Sequence, residues 1–361
     1  MKNPYQGYDA RAFWRKSVGE VAPFGISGLW QPKYPIRPQH RIITAGSCFA
    51  QHIGRALAAR GYQWLDGEPA PALMKPEDAQ AFNYGIFSFR TGNIYTTRML
   101  RQWLGQAFGR EEIPDEIWEQ DGRFFDPMRP TIEPGGFASP DELRAARKAT
   151  LAAIRKAVEQ ADVFIFTLGL TESWANRETG LEYASCPGTA AGIYDESRHV
   201  FVNHRPAEVE VDLNAALDIL RKANPQLRVL LTVSPVPLTA TASGAHVLSA
   251  TTWSKSVLRS VAGMAAEDHD FVDYFPSYEI ITAPALRGMF YAPNMRSVVA
   301  EGVDFVMRNF FADQQAAFGK IDSRPLKRGK KPWPIRRTRA ERAPAAGVKC
   351  EEELLDAFAN G

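Results

Sequence analysis

The stretch RIITAGSCFAQHIGRAL, residues 41–57, decides how the chain is read. A short apolar run, Ile42 and Ile43, leads through Gly46 to two side chains able to act as nucleophiles, Ser47 and Cys48. Phe49, Ile53 and Leu57 then recur at i, i+4 and i+8, the spacing of an amphipathic helix. A strand that bends into a helix sets its turn residues at the helix N-terminus, where unpaired N–H groups and the helix dipole favour negative charge. That setting suits an activated thiol or hydroxyl with an oxyanion behind it. It is equally the setting of a structural βα turn with a buried cysteine.

Outward from this turn, strand-like and helical runs alternate. Residues 41–45 feed a helix over 50–60, and residues 62–65 read as a second strand. A helix over 141–160 precedes the continuous apolar run 161–169, and a helix over 211–223 precedes a strand over 228–237. A helix over 252–266, a strand over 270–275 and a last helix over 302–315 complete the series. Alternation of this kind, with strands apolar on both faces, predicts an α/β fold: a doubly wound parallel sheet sandwiched by helices, flavodoxin-like in kind. The Pro- and Gly-rich stretch 110–138 and the segment 175–208 read as insertions that shape a cleft. Residues 1–318 are expected to form one domain, and 319–361 a basic, flexible C-terminal tail ending in a short helix over 349–359.

The net charge of +2 conceals a basic segment: residues 321–342 carry nine Lys or Arg against Asp322 and Glu341, about +7, which leaves about −5 for the rest. Within it, residues 324–342 offer a weak contact with an anionic surface, or simply a solvated extension. The cysteines stand at 48, 186 and 350, in no pattern of metal-ligand spacing, so no metal is expected and a reducing compartment is. The N-terminus lacks an apolar leader and no run of about 18 apolar residues occurs, which points to a cytoplasmic protein. With neither a Walker A sequence nor a GxGxxG after a strand, no cofactor is expected.

Several segments together resemble the GSCFA-domain family, a bacterial group allied to the SGNH/GDSL hydrolase superfamily. They are ITAGSCFAQHIG (43–54), FNYGIFSFRTGNIYTTR (82–98), RPTIEPGGF (129–137), TLGLTESW (167–174), TVSPVPLTATASGAHVL (232–248), SKSVLR (254–259), YFPSYEI (274–280) and GVDFVMRNFF (302–311). The resemblance implies a catalytic rim at the carboxyl ends of the strands. It puts Cys48 at the nucleophile position of the superfamily, and a shift of one residue puts Ser47 there. Gly85 or the pair Gly92-Asn93, with Thr171, is implied as the oxyanion hole, and Gly169–Glu172 as the counterpart of the Gly-x-Asn-Asp block.

The Asp-x-x-His block that the superfamily carries before its last helix is replaced here by Asn294-Met295-Arg296-Ser297. Its histidine must come from elsewhere or be absent. His246, in a loop at the carboxyl rim, is the expected base, oriented by Glu279, Glu172 or Asp273, and Arg296 is expected to clamp an anionic group. Trp118, Phe124, Phe125 and Trp174 offer faces on which a sugar can stack. The resemblance implies an esterase or O-acyltransferase acting on a carbohydrate or similar hydroxyl compound through an acyl-enzyme. The alternative is an inactive binding protein that recognises a glycan or acyl ligand in surface-polysaccharide metabolism.

Overall fold

A computed structural model describes residues 3–112, 114–319 and 350–359. Its centre is a five-stranded parallel sheet of β1 (Arg41–Gly46), β2 (Gln63–Trp64), β5 (Val163–Leu168), β9 (Arg228–Val233) and β10 (Val272–Tyr274), in the spatial order β2-β1-β5-β9-β10. Counted along the chain, these five strands lie in the order 2-1-3-4-5, so the winding direction reverses between β1 and β5. In an open sheet that reversal opens a crevice beyond the carboxyl ends of the two strands.

Alternation along each strand explains why both faces are covered. Ile42, Val163, Ile165 and Leu230 point to one face, where they meet Phe49, Ile53 and Leu57 of α1 (Phe49–Ala59). Val306 and Phe310 of α8 (Ala300–Phe318), and Ile280 and Ile281 of α7 (Ser277–Thr282), complete that layer. Ile43, Ala45, Phe164, Phe166, Val229 and Leu231 point to the other face. There they pack on α3 (Thr97–Ala107), α4 (Pro140–Gln160), α5 (Pro206–Ala223) and α6 (Val247–Asp268).

The departures from the sequence reading have local causes. The strand expected over 228–237 stops at Val233, since Pro235 and Pro237 cannot donate to a ladder. The helix expected from 211 starts at Pro206, where Glu208 accepts from the Arg205 N–H at 2.8 Å. The segments read as insertions carry their own strands. A hairpin joins β3 (Trp118–Gln120) to β4 (Arg123–Phe125), and a three-stranded antiparallel sheet joins β6 (Glu172–Asn176), β7 (Glu182–Tyr183) and β8 (His199–Asn203) in the order β7-β6-β8. A short helix, α2 (Pro76–Ala81), precedes the loop that runs to Asn93.

The basic run 324–342 lies outside the described residues. The segment beyond it, Cys350–Ala359, packs back onto the domain as a 3₁₀ helix over Glu351–Phe358, with Glu351 buried. Among the described residues no helix is long and apolar enough to cross a membrane.

Candidate functional site

Gly46 ends β1 opposite Thr167 with φ at +127°. A Cβ there would lie 2.3 Å from the Thr167 carbonyl oxygen, so only glycine lets the two strand ends approach this closely. The chain then turns at once. Ser47 donates its N–H to the Thr167 carbonyl at 3.0 Å, and Cys48 caps α1. Both side chains sit at the switch point of the sheet, and both are buried. They differ in their company. The Ser47 hydroxyl has no hydrogen-bond partner among the described residues, whereas the Cys48 thiol lies among titratable groups from four other segments.

Cys350 shares a hydrogen bond with Cys48. Arg296, Lys255 and Glu352 surround the pair electrostatically. Tyr95 reaches the Cys350 sulfur at 3.6 Å, and so does the Arg296 Nη2. The hydrogen bond to Cys350, followed by burial, raises the Cys48 thiol well above its ordinary value. The same bond lowers Cys350, which leaves the proton on Cys48. A helix N-terminus alone would push Cys48 the other way; here the neighbouring sulfur and the loss of solvent outweigh it.

Lys255 is the group that the sequence reading missed. It is fully buried on α6, with Nζ donating to the Gly169 carbonyl. Burial pushes it down to about 8, against the opposing pull of Glu352 and Cys48. Its signal was present: Lys255 precedes Leu258 and Ala262 by three and seven residues, on the face that α6 buries.

Asn93 and Arg296 both meet the C-terminal segment. Asn93 donates from Nδ2 to Glu351 Oε2, and Arg296 pairs with Glu352 at 3.2 Å and with Glu353 at 3.3 Å. Gly92 lies so close that a Cβ would meet Glu351 Oε1 at 3.3 Å. Asn294 shapes the turn before Arg296: its Oδ1 accepts from the Arg296 N–H at 3.0 Å. Glu172 lines the neighbouring cleft and accepts from Thr241 Oγ1 at 2.8 Å, with burial raising its carboxyl.

The other expected residues are engaged elsewhere. His246 is exposed at the N-cap of α6, where its Nδ1 accepts from the Leu248 N–H at 3.2 Å. Glu279 is held by Arg259 and by the Tyr274 hydroxyl, not by a histidine. Thr171 gives its hydroxyl proton to Asn203 Oδ1 at 2.8 Å, so that proton does not reach the cleft. Gly85 is an exposed turn with φ at +65°. Asp273 accepts from Trp30 Nε1 and the Lys33 N–H, which ties it to the N-terminal segment. Of the four aromatic residues, Trp174 lines a cleft; Trp118 is buried against Tyr183, and Phe124 packs with Phe137 and its neighbours.

Two clefts open on either side of the C-terminal segment. One, of about 770 Å³ counted to the open mouth, is lined by Tyr95, Leu170, Glu172, Trp174, Glu352 and Leu355 among others. The second, of about 830 Å³, is lined by Cys48, His52, Arg296, Glu353 and Asp356 among others. Residues of the segment 352–356 wall both. His52 is the imidazole on the second, and burial, with Arg55 adding, pushes it down to about 4. Among the described residues no cluster of His, Cys, Asp and Glu is arranged to hold a metal.

The loop that carries Asn93 is fixed by a buried ionic cluster. Asp126 accepts from Arg129 Nε at 2.9 Å and from Arg147 Nη2 at 2.7 Å. Arg129 in turn donates to the Arg90 carbonyl at 2.8 Å, and Arg90 donates to the carbonyls of Phe82 and Ile132. A family model described as the GSCFA family matches residues 41–310, which takes in Cys48, Asn93, Tyr95, Thr131, Lys255 and Arg296. Comparison with curated proteins gives no match.

Proposed function

The chain belongs to the GSCFA family, and on that premise we propose that it is an SGNH-like esterase or O-acyltransferase that carries the acyl group on Cys48. The observation behind this reading is the meeting of a thiol, a buried lysine lowered to about 8 and a guanidinium at the switch point of the sheet. The 2-1-3-4-5 strand order supports the SGNH-like assignment by analogy of fold alone.

Lys255, partly neutral near pH 8, takes the proton of the Cys48 thiol. The sulfur attacks the acyl carbonyl carbon, and the oxyanion that forms lies toward the N-terminus of α1. Collapse breaks the ester C–O bond, and the leaving alkoxide recovers the proton from Lys255. Water or a sugar hydroxyl then gives its proton to Lys255 and attacks the thioester carbon, and the departing Cys48 sulfur recovers that proton from Lys255. Lys255 thus fills the role expected of His246. Trp174 offers a face for a sugar ring.

The raised Cys48 thiol favours a second reading, a glycan- or acyl-ligand-binding protein without turnover. Acetylation by p-nitrophenyl acetate separates the two. In the Cys350→Ser protein, where Cys48 loses its thiol partner, peptide mass spectrometry should find acetyl on the peptide carrying Cys48. Lys255→Met should slow its appearance about 100-fold or more, and Cys48→Ala should abolish it. Acetyl on Ser47 would move the nucleophile by one residue, and no acetyl at either position leaves the binding reading.

A further inference from the structure

The described C-terminal segment lies in the cleft as a ligand would. Glu351 is received by three neutral donors: Asn93 Nδ2, the Tyr95 hydroxyl at 3.1 Å and the Thr131 hydroxyl at 3.0 Å. Glu352 is received by cations, Arg296 at 3.2 Å and Lys255 through space. Cys350 covers the Cys48 thiol, which retains 5 % of its exposure. Every receiving residue falls within the span 41–310 that matches the family, and the segment falls outside it. Apolar burial does not hold the segment in place: Glu351 is its buried residue, while Leu354 and Phe358 remain 41 % and 62 % exposed. A core helix hides its apolar residues and exposes its carboxylates; here Glu351 and Glu352 are the inward carboxylates while Leu354 and Phe358 face solvent.

We propose that residues 350–353 are a tethered occupant of the ligand cleft, that Glu351 and Glu352 fill two carboxylate seats which a carboxylate-bearing ligand takes in turn, and that the segment must leave before Cys48 is reached. The proposal rests on the reading of this cleft as the place where Cys48 meets its substrate, and adds the substrate's charge and the cleft's regulation. Glu352 and Leu355 wall the cleft that holds Trp174, and Glu353 and Asp356 wall the cleft that holds Cys48. One seat is built of neutral donors and the other carries positive charge, so the ligand offers two negative groups as close together as neighbouring glutamate side chains.

The full-length protein tests this through iodoacetamide labelling, with peptide mass spectrometry distinguishing Cys48, Cys186 and Cys350. The native protein should label Cys350 ahead of Cys48. In Glu351→Ala/Glu352→Ala, labelling of Cys48 should rise about tenfold or more, as expected for lost charge-assisted contacts. Added acetyl-Ser-Glu-Glu-Glu-amide should slow it again, and the Gln analogue of that peptide should not. Diamide, which accepts the two hydrogens lost by a pair of thiols, should close an intramolecular Cys48–Cys350 disulfide in the native protein and much less in the double variant.

Cys48 labelling that is equal in the two proteins, a failure of the acidic peptide to protect, or a disulfide formed only between chains would each overturn the proposal. Acetylation of Cys48 together with unchanged labelling would sink the occupant and leave acyl transfer standing. Faster labelling of Cys48 without acetylation would do the opposite.

Discussion

Two of the places where the described residues bury opposite charges side by side are built differently. Asp126, Arg129 and Arg147 come from one stretch of chain, β4 to α4, and both carboxylate oxygens of Asp126 are paired. Burial pushes the Asp126 carboxyl up, but Arg147 and Arg129 outweigh it and hold the group below the ordinary carboxylate range. Around Cys48 the cations come from α6 and the turn before α8, and the carboxylates arrive on a segment beyond residue 349. Burial there wins, and Glu352 stays above the ordinary range despite Arg296 and Lys255. The first arrangement is closed and serves as a frame. The second keeps its charges at a cost that another ligand can meet as well.

The largest expected effect falls on the frame. Asp126→Ala leaves two buried guanidinium groups without their carboxylate and should cost about 3–5 kcal/mol in urea unfolding. It should also loosen the loop that Arg129 anchors through the Arg90 carbonyl, and so weaken the hold on Asn93. A loss under about 1 kcal/mol would dissolve the distinction between frame and cleft.

Next comes the turn. Gly46→Ala combines a strained φ with a Cβ 2.3 Å from the Thr167 oxygen, which should cost on the order of 3 kcal/mol. The damage should spread to Cys48, whose alkylation is then no longer governed by the C-terminal segment. If Gly46→Ala unfolds like the native protein, the close approach of β1 and β5 is not what places the thiol.

How much of this was legible follows the same divide. The turn 46–48 was readable because hydrophobic period changes there from a strand's to a helix's, and β5 and β9 were readable as unbroken apolar runs. α3 was not picked out, although Met99, Leu100, Trp103, Leu104 and Ala107 recur at helical spacing beside Arg98 and Arg101; Thr97, Gln102 and Gln106 are hidden as well, so burial does not follow polarity along it. The short strands β6 to β8 mix polar and apolar residues and are held by one another. Within the site, Cys48 and Arg296 line one cleft and Asn93 meets Glu351. His246 sits at a loop position of the kind expected, yet its ring is used to cap a helix. Lys255 was hidden by the ordinary expectation that a helical lysine faces water, and Glu351–Glu352 by a separation in sequence that no local pattern spans.

A smaller effect separates solvent loss from ligand contact at the cleft. His52 is pushed down to about 4, so between that value and its ordinary 6.5 the unfolded chain binds a proton that the folded protein refuses. Stability should therefore fall as pH drops through that window, on the order of 2 kcal/mol by about pH 5, and be unaffected by His52 above it. His52→Gln should flatten that part of a stability profile measured by urea unfolding. An unchanged slope would mean that His52 meets water freely, and that the second cleft is more open than its lining suggests.

The smallest effect is the sharpest test of which contacts hold the C-terminal segment. Glu353 also pairs with Arg296, at 3.3 Å, but its side chain is 52 % exposed, against 13 % for Glu352. A pair so exposed is screened by solvent and is worth about 0.5 kcal/mol, so Glu353→Gln should speed Cys48 alkylation only about twofold. Arg296 keeps its hydrogen bond to the Pro237 carbonyl and its pairing with Glu352 in that variant, so its place in the cleft does not change. If Glu353→Gln instead matches the double variant at Glu351 and Glu352, the segment is held by charge at its rim, and the two buried carboxylates are passengers.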